Sequence, residues 1–69
     1  MLELTYVAGG PGSCAGDTCP TVYASNRGTL VVQGYQLDRA DLAVDVPGGE
    51  DIVEIPLELL KTAARQLDL

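Results

Sequence analysis

From Leu2 to Val7 apolar and polar residues alternate: Leu2, Leu4 and Tyr6 share one side, Glu3, Thr5 and Val7 the other. That period of two predicts a half-buried β-strand. Gly9 to Thr18 breaks the pattern with Gly, Pro and Ser and reads as a loop. Thr21–Ser25 and Thr29–Tyr35 are rich in β-branched residues and tyrosine, and they flank Asn26-Arg27-Gly28. Asparagine tolerates turn conformations and glycine supplies a positive φ, so these two runs predict a hairpin with a three-residue loop. Val22 and Ala24 share one face, Leu30, Val32 and Gly34 another, and Tyr23, Val31, Gln33 and Tyr35 take the alternate positions, so both faces carry bulk, as suits a central hairpin.

Leu37 to Val46 fits two periods. Leu37, Ala40 and Val44 form a helical stripe, whereas Leu42 to Val46 alternates like a strand. Pro47-Gly48-Gly49-Glu50 reads as a turn leading into a strand over Asp51–Ile55, which favours a second hairpin. The tail predicts a helix. Pro56 suits its start, Glu58 lies in its first turn, and Lys61 and Arg65 come later, in keeping with the helix dipole. Leu57, Leu60, Ala64 and Leu67 recur at the spacing of one buried face. The expected fold is α+β: a small twisted antiparallel sheet of about four to five strands in two hairpins, with one C-terminal helix. It forms one small domain over 1–69, with a glycine-rich loop at 9–18 and the helix at 56–67.

Length limits what such a fold can do. Sixty-nine residues leave no room for a doubly wound nucleotide-binding domain or a barrel enzyme. For a mass of 7.2 kDa, apolar burial contributes about 95 kcal/mol and chain ordering costs about 100 kcal/mol. The near-cancellation predicts a homodimer, joined through strand edges or the leucine face of the helix. The N-terminal stretch has no basic start followed by an apolar core, and no run is long enough to span a bilayer. A cytoplasmic location is therefore expected.

Charge narrows the partners. Ten acidic residues against four basic ones give a net charge of −6, which disfavours direct binding to nucleic acid. Six carboxylates, Asp38, Asp41, Asp45, Glu50, Asp51 and Glu54, are crowded into one stretch opposed only by Arg39. They form a solvated face or a docking surface for a basic protein, since charge complementarity mainly steers encounter. Tyr23 and Tyr35 are the companion candidates, because tyrosine joins contact area to a polar tip.

Cys14 and Cys19 offer too few ligands for a structural zinc site in one chain unless a carboxylate such as Asp17 joins or a dimer pools four thiolates, and the absence of histidine removes the usual base for a catalytic thiol. Inert reduced thiols are the expected state in a reducing compartment. A local disulfide and a metal shared between two chains are the alternatives. Gly10 to Thr18 has a superficial likeness to a phosphate-binding loop, but the glycine spacing differs and Asp17 stands at the lysine position. No catalytic residue, cofactor or metal is expected.

Cys19-Pro20-Thr21-Val22-Tyr23-Ala24-Ser25-Asn26-Arg27-Gly28-Thr29-Leu30-Val31-Val32-Gln33-Gly34, followed by Val53-Glu54-Ile55-Pro56-Leu57-Glu58-Leu59-Leu60, resembles the small actinobacterial BldB-like, WhiJ-associated proteins encoded beside helix-turn-helix regulators. The resemblance implies a non-enzymatic regulatory partner of a DNA-binding protein and carries over no catalytic residue. The leading expectation is thus a small acidic interaction module that binds a helix-turn-helix transcription regulator. A small structural metal-binding or redox protein using Cys14 and Cys19 is the alternative.

Overall fold

The computed structural model describes residues 1–9 and 19–69. Among these residues the chain forms β1 (Leu4–Gly9), β2 (Thr21–Ser25), β3 (Leu30–Gln33), β4 (Tyr35–Gln36), a single 3-10 turn (Arg39–Asp41), β5 (Val53–Glu54) and α1 (Leu57–Gln66). Strands β1, β2 and β3 make one antiparallel sheet in that order, and β4 and β5 make a second. The α+β class and the C-terminal helix are as expected from the sequence. The strands are divided between two sheets.

The central hairpin follows its local chemistry. Ser25 N–H donates to Thr29 O at 2.9 Å across the three-residue loop, and the Ser25 hydroxyl accepts from Arg27 N–H at 3.1 Å. Gly28 takes φ +76°, the left-handed conformation that side-chain-bearing residues resist. Asn26 also ties down the N-terminus: its Oδ1 accepts from Glu3 N–H, its N–H donates to Glu3 O, and its Nδ2 donates to Met1 O. Tyr6 pairs with Tyr23, but the next pair is Ala8 with Val22, leaving Val7 as a bulge. The extra residue lets both Val7 and Ala8 reach the core. Leu2, Leu4 and Tyr6, the more apolar side of the alternating run, are left exposed.

The helix lies mainly across β1, with a smaller contact to β2. Among the described residues the buried apolar cluster is Ala8, Val22, Leu59 and Ala63, with Val7 and Ile55 packed against it. This corrects the expected helix face. Leu57 and Leu60 are 67% and 57% exposed, and the row that docks is Ile55, Leu59 and Ala63. Those three lie four residues apart, and Ile55 is already seated before the helix begins, so it sets the helix's rotation. The small Ala63 lets the helix approach the equally small Ala8. Pro56 is the N-cap, at φ −63°. At the other end Asp68 has φ +59°, Asp68 N–H donates to Arg65 O and Leu69 N–H donates to Ala64 O. That pair of bonds is a Schellman stop with aspartate in the place usually taken by glycine.

The second expected hairpin is replaced by a wider one. The turn at Pro47 closes as expected, with Glu50 N–H donating to Pro47 O at 3.1 Å. Leu42–Val46 is not a strand. Instead β5 pairs with β4, placing Tyr35 opposite Glu54 and Gln36 opposite Val53. Asp38 is one cause: its carboxylate accepts from Ala40 N–H at 3.0 Å and caps the 3-10 turn, which curls the chain where a strand would have to start. Gly34 joins the two sheets by close approach. A Cβ there would lie 2.6 Å from Glu54 O and 2.8 Å from Ile55 Cγ2.

This packing makes stability sensitive at two positions, in opposite directions. Gly34→Ala should destabilise by about 2 kcal/mol, because backbone has to move. Gly48→Ala, with nothing within 4 Å of its Cβ, is the matched control, and thermal melts showing equal midpoints for the two variants would contradict the close approach. Asp68→Gly should instead stabilise by roughly 0.5–1 kcal/mol, raising the midpoint by a few degrees, since it relieves the left-handed φ and removes a negative charge at the helix C-terminus. An unchanged or lower midpoint would contradict it.

Candidate functional site

The carboxylate-rich stretch forms a lobe hung on the second sheet. It leaves β4 after Gln36, makes the capped turn at Asp38, and returns through Pro47 to β5. Arg39 organises it from within. Its Nη2 donates to Glu50 O at 2.7 Å, its Nη1 reaches Val46 O at 3.5 Å, and Nη2 lies 3.6 Å from Asp51 Oδ1. One guanidinium thus clips the outgoing and returning arms together. The ion pair itself is exposed and contributes little, whereas the bonds to two backbone carbonyls fix the loop's path.

All six candidate carboxylates are exposed, but they are not equivalent. Asp38 is used as a cap, and Asp51 faces Arg39 while its Oδ1 also accepts from Ile52 N–H at 2.9 Å. Among the described residues Asp41, Asp45, Glu50 and Glu54 have no side-chain hydrogen bond or ion pair. The fold therefore leaves four carboxylates uncompensated on one lobe. Tyr35, 42% exposed, sits directly across the strand pair from Glu54, so an aromatic ring borders the charged surface. A shallow open depression lined by Gln36, Leu37, Asp38, Arg39 and Asp51 lies on the same lobe.

Tyr23 is placed elsewhere. It is half-buried on the first sheet, opposite Tyr6 on one side and Val31 on the other, so the structure groups Tyr35 with the carboxylates and Tyr23 with Tyr6. Arg39 was not among the residues expected to shape the site, although its position as the single base in the acidic run was a usable signal.

Cys19 requires a correction. It is disulfide-bonded, whereas inert reduced thiols were expected; Cys14, the other cysteine of the chain, lies outside the described residues. The Cys19 carbonyl accepts from Thr21 Oγ1 at 2.8 Å and from Gln33 Nε2 at 2.9 Å. These bonds hold the residue at the foot of β2, in fixed position for pairing. A bridged sulfur is not a thiolate, so in this state it is no metal ligand. Among the described residues no three His, Cys, Asp or Glu side chains converge as a metal site.

A cavity of about 210 Å³ lies between Gly9 and Pro20 on one side and Pro56, Glu58, Leu59 and Thr62 on the other. It is smaller than the usual small-molecule pocket, and Glu58, the ionisable residue on its rim, lies 3.5 Å from Lys61. Among the described residues no helix is long and apolar enough to cross a membrane.

No family model, curated protein or solved structure matches this chain.

The disulfide is directly testable. Reduction, or Cys19→Ser, should lower stability by about 2 kcal/mol, the lower part of the usual range for a native bridge. A domain of this size should then melt roughly 10 °C lower in excess dithiothreitol. Full reduction with no change in midpoint would count against a structural bridge.

Proposed function

We propose that this chain is a non-enzymatic protein-interaction module whose acidic lobe docks on a basic surface of a helix-turn-helix transcription regulator. The observation that carries the reading is the set of four uncompensated carboxylates, Asp41, Asp45, Glu50 and Glu54, held on an Arg39-clipped lobe beside Tyr35. An acidic surface of this kind meets Lys and Arg side chains that otherwise contact DNA phosphates, so module and operator compete for the same bases. The resemblance in the central hairpin and the tail supplies the class of regulator. Asp38 and Asp51 shape the lobe, and Tyr35 adds contact area at its border.

The reading places the chain in the cytoplasm, where thiols are kept reduced. It therefore requires that docking survive reduction of the Cys19 bridge, since the lobe's own tether is Arg39. A second reading, a small redox protein acting through Cys14 and Cys19, draws on the bridge at Cys19. It requires the opposite: a partner that responds to the thiol–disulfide state and ignores the lobe.

Titration against a basic helix-turn-helix regulator over a salt series, with and without reductant, separates the two. Affinity should fall as salt rises. Asp41→Asn, Asp45→Asn, Glu50→Gln and Glu54→Gln combined should weaken binding about 30-fold, taking about 0.5 kcal/mol per exposed pair. A flat salt response rejects the acidic lobe as the contact. Binding that vanishes on reduction favours the redox reading, and tight direct binding to duplex DNA rejects both.

A further inference from the structure

We propose that two copies of this chain pair through the outer edge of β3, forming a continuous six-stranded antiparallel sheet about a two-fold axis at Val31. This goes beyond the regulator contact, which uses the other sheet.

Three independent observations lead there. The first is area. The chain exposes 5365 Å², whereas a folded monomer of its mass exposes about 4,100 Å². Its radius of gyration is 13.1 Å, against about 11 Å for a compact chain of this length. The excess of about 1,200 Å² is summed over the whole chain and leaves room for an interface of the standard roughly 800 Å² per partner, whose place the next two observations give.

The second is where apolar surface is left bare. Leu30 and Val32 pair with Ala24 and Val22 and so stand on the helix side of the sheet. The helix covers β1 and part of β2, and Leu30 and Val32 remain 49% and 40% exposed. A two-fold neighbour laid along β3 brings Leu30 beside the partner's Val32 and Val32 beside the partner's Leu30. Four apolar side chains then fill the strip between the two helices.

The third is the edge itself. The Ser25–Thr29 bond makes that pair the hydrogen-bonded one, and antiparallel pairs alternate. Counting from it, Val31 and Gln33 direct their backbone groups at β2, while Leu30 and Val32 direct theirs outward. β3 is the last strand of its sheet and carries no proline, no charge and no bulge, the devices that blunt a free edge. The opposite edge, β1, is bulged at Val7. Ten consecutive residues, Gly28 to Leu37, are uncharged in a chain of net charge −6. The β3 edge is thus a place where two acidic chains meet without juxtaposing carboxylates. With Leu30 opposite the partner's Val32, each copy gives and receives the same bonds, as an isologous interface requires.

The test uses the whole chain. Analytical ultracentrifugation at high micromolar concentration should find twice the chain mass, and residue-resolved amide exchange should find the Leu30 and Val32 N–H groups protected, increasingly so with concentration. Val32→Pro removes an outward N–H that β2 does not use, and Leu30→Lys places a charge on an already half-exposed position. Both should yield monomers whose Val31 amide stays protected by β2, which reports that the hairpin is intact. Leu60→Lys, on the exposed helix stripe, should leave the dimer unchanged. A wild-type monomer at these concentrations overturns the proposal. So does a dimer that dissociates with Leu60→Lys, or one whose Leu30 and Val32 amides exchange freely.

Discussion

The helix is held by contact between very small surfaces: Leu59 and Ala63 on Ala8 and Val22, with Ile55 and Val7 at the margins. Two of the four residues in this buried apolar cluster are alanines, so the attraction comes from close backbone approach more than from bulk, and anything that lifts the helix slightly forfeits much of it. Ile55 reaches this contact because Gly34 lets segment 53–55 lie flat against the end of β3. The same passage makes β5 a neighbour of β4. One close approach therefore sets the helix's rotation, the pairing of the second sheet and the root of the acidic lobe.

Elements governed by local chemistry were legible in the sequence. The loop Asn26-Arg27-Gly28 selects its hairpin through a positive φ and a serine hydroxyl, both within a few residues. The tail declares a helix through proline, leucines and late basic residues. The helix's buried face was not legible, because leucine occurs on both sides. Leu57 and Leu60 outweigh Leu59 and Ala63 on hydrophobicity, and the choice is made by Ile55, whose burial is a tertiary fact. The second hairpin failed for a related reason. Leu42–Val46 has the right alternation, but Asp38 and Arg39 bend the chain before it, and two-residue strands such as β4 and β5 are too short to leave a period.

For the candidate surface, exposure of all six carboxylates follows from composition alone, and so it carries little information. The informative part is their division into two that hold the lobe and four that are left over, which depends on where Arg39 points. The pairing of Tyr35 with Glu54 was hidden by the alternation of Leu42–Val46, which offered β5 a nearer partner. The state of Cys19 was not legible from the expected compartment, and the two side-chain bonds that hold its carbonyl in place are tertiary facts that leave no local pattern in the sequence.

Charge and apolar surface are separated in this chain, and the separation has a consequence for assembly. A chain with net charge −6 repels its copy wherever carboxylates meet, yet the ten uncharged residues from Gly28 to Leu37 coincide with its least protected strand edge. The charge itself is concentrated on the other sheet. In the proposed two-fold dimer the paired β3 strands lie at the centre, and each copy contributes one acidic lobe outside them. Two lobes in fixed relation suit a regulator that is itself two-fold, as helix-turn-helix proteins on palindromic sites are. The second contact then forms at the effective concentration set by the first, so modest individual contacts between exposed charges add to a tight complex. Under the proposed function, weak surface ion pairs are thus compatible with a firm interaction, provided that the proposed dimer spaces its lobes to match two basic faces of a two-fold regulator.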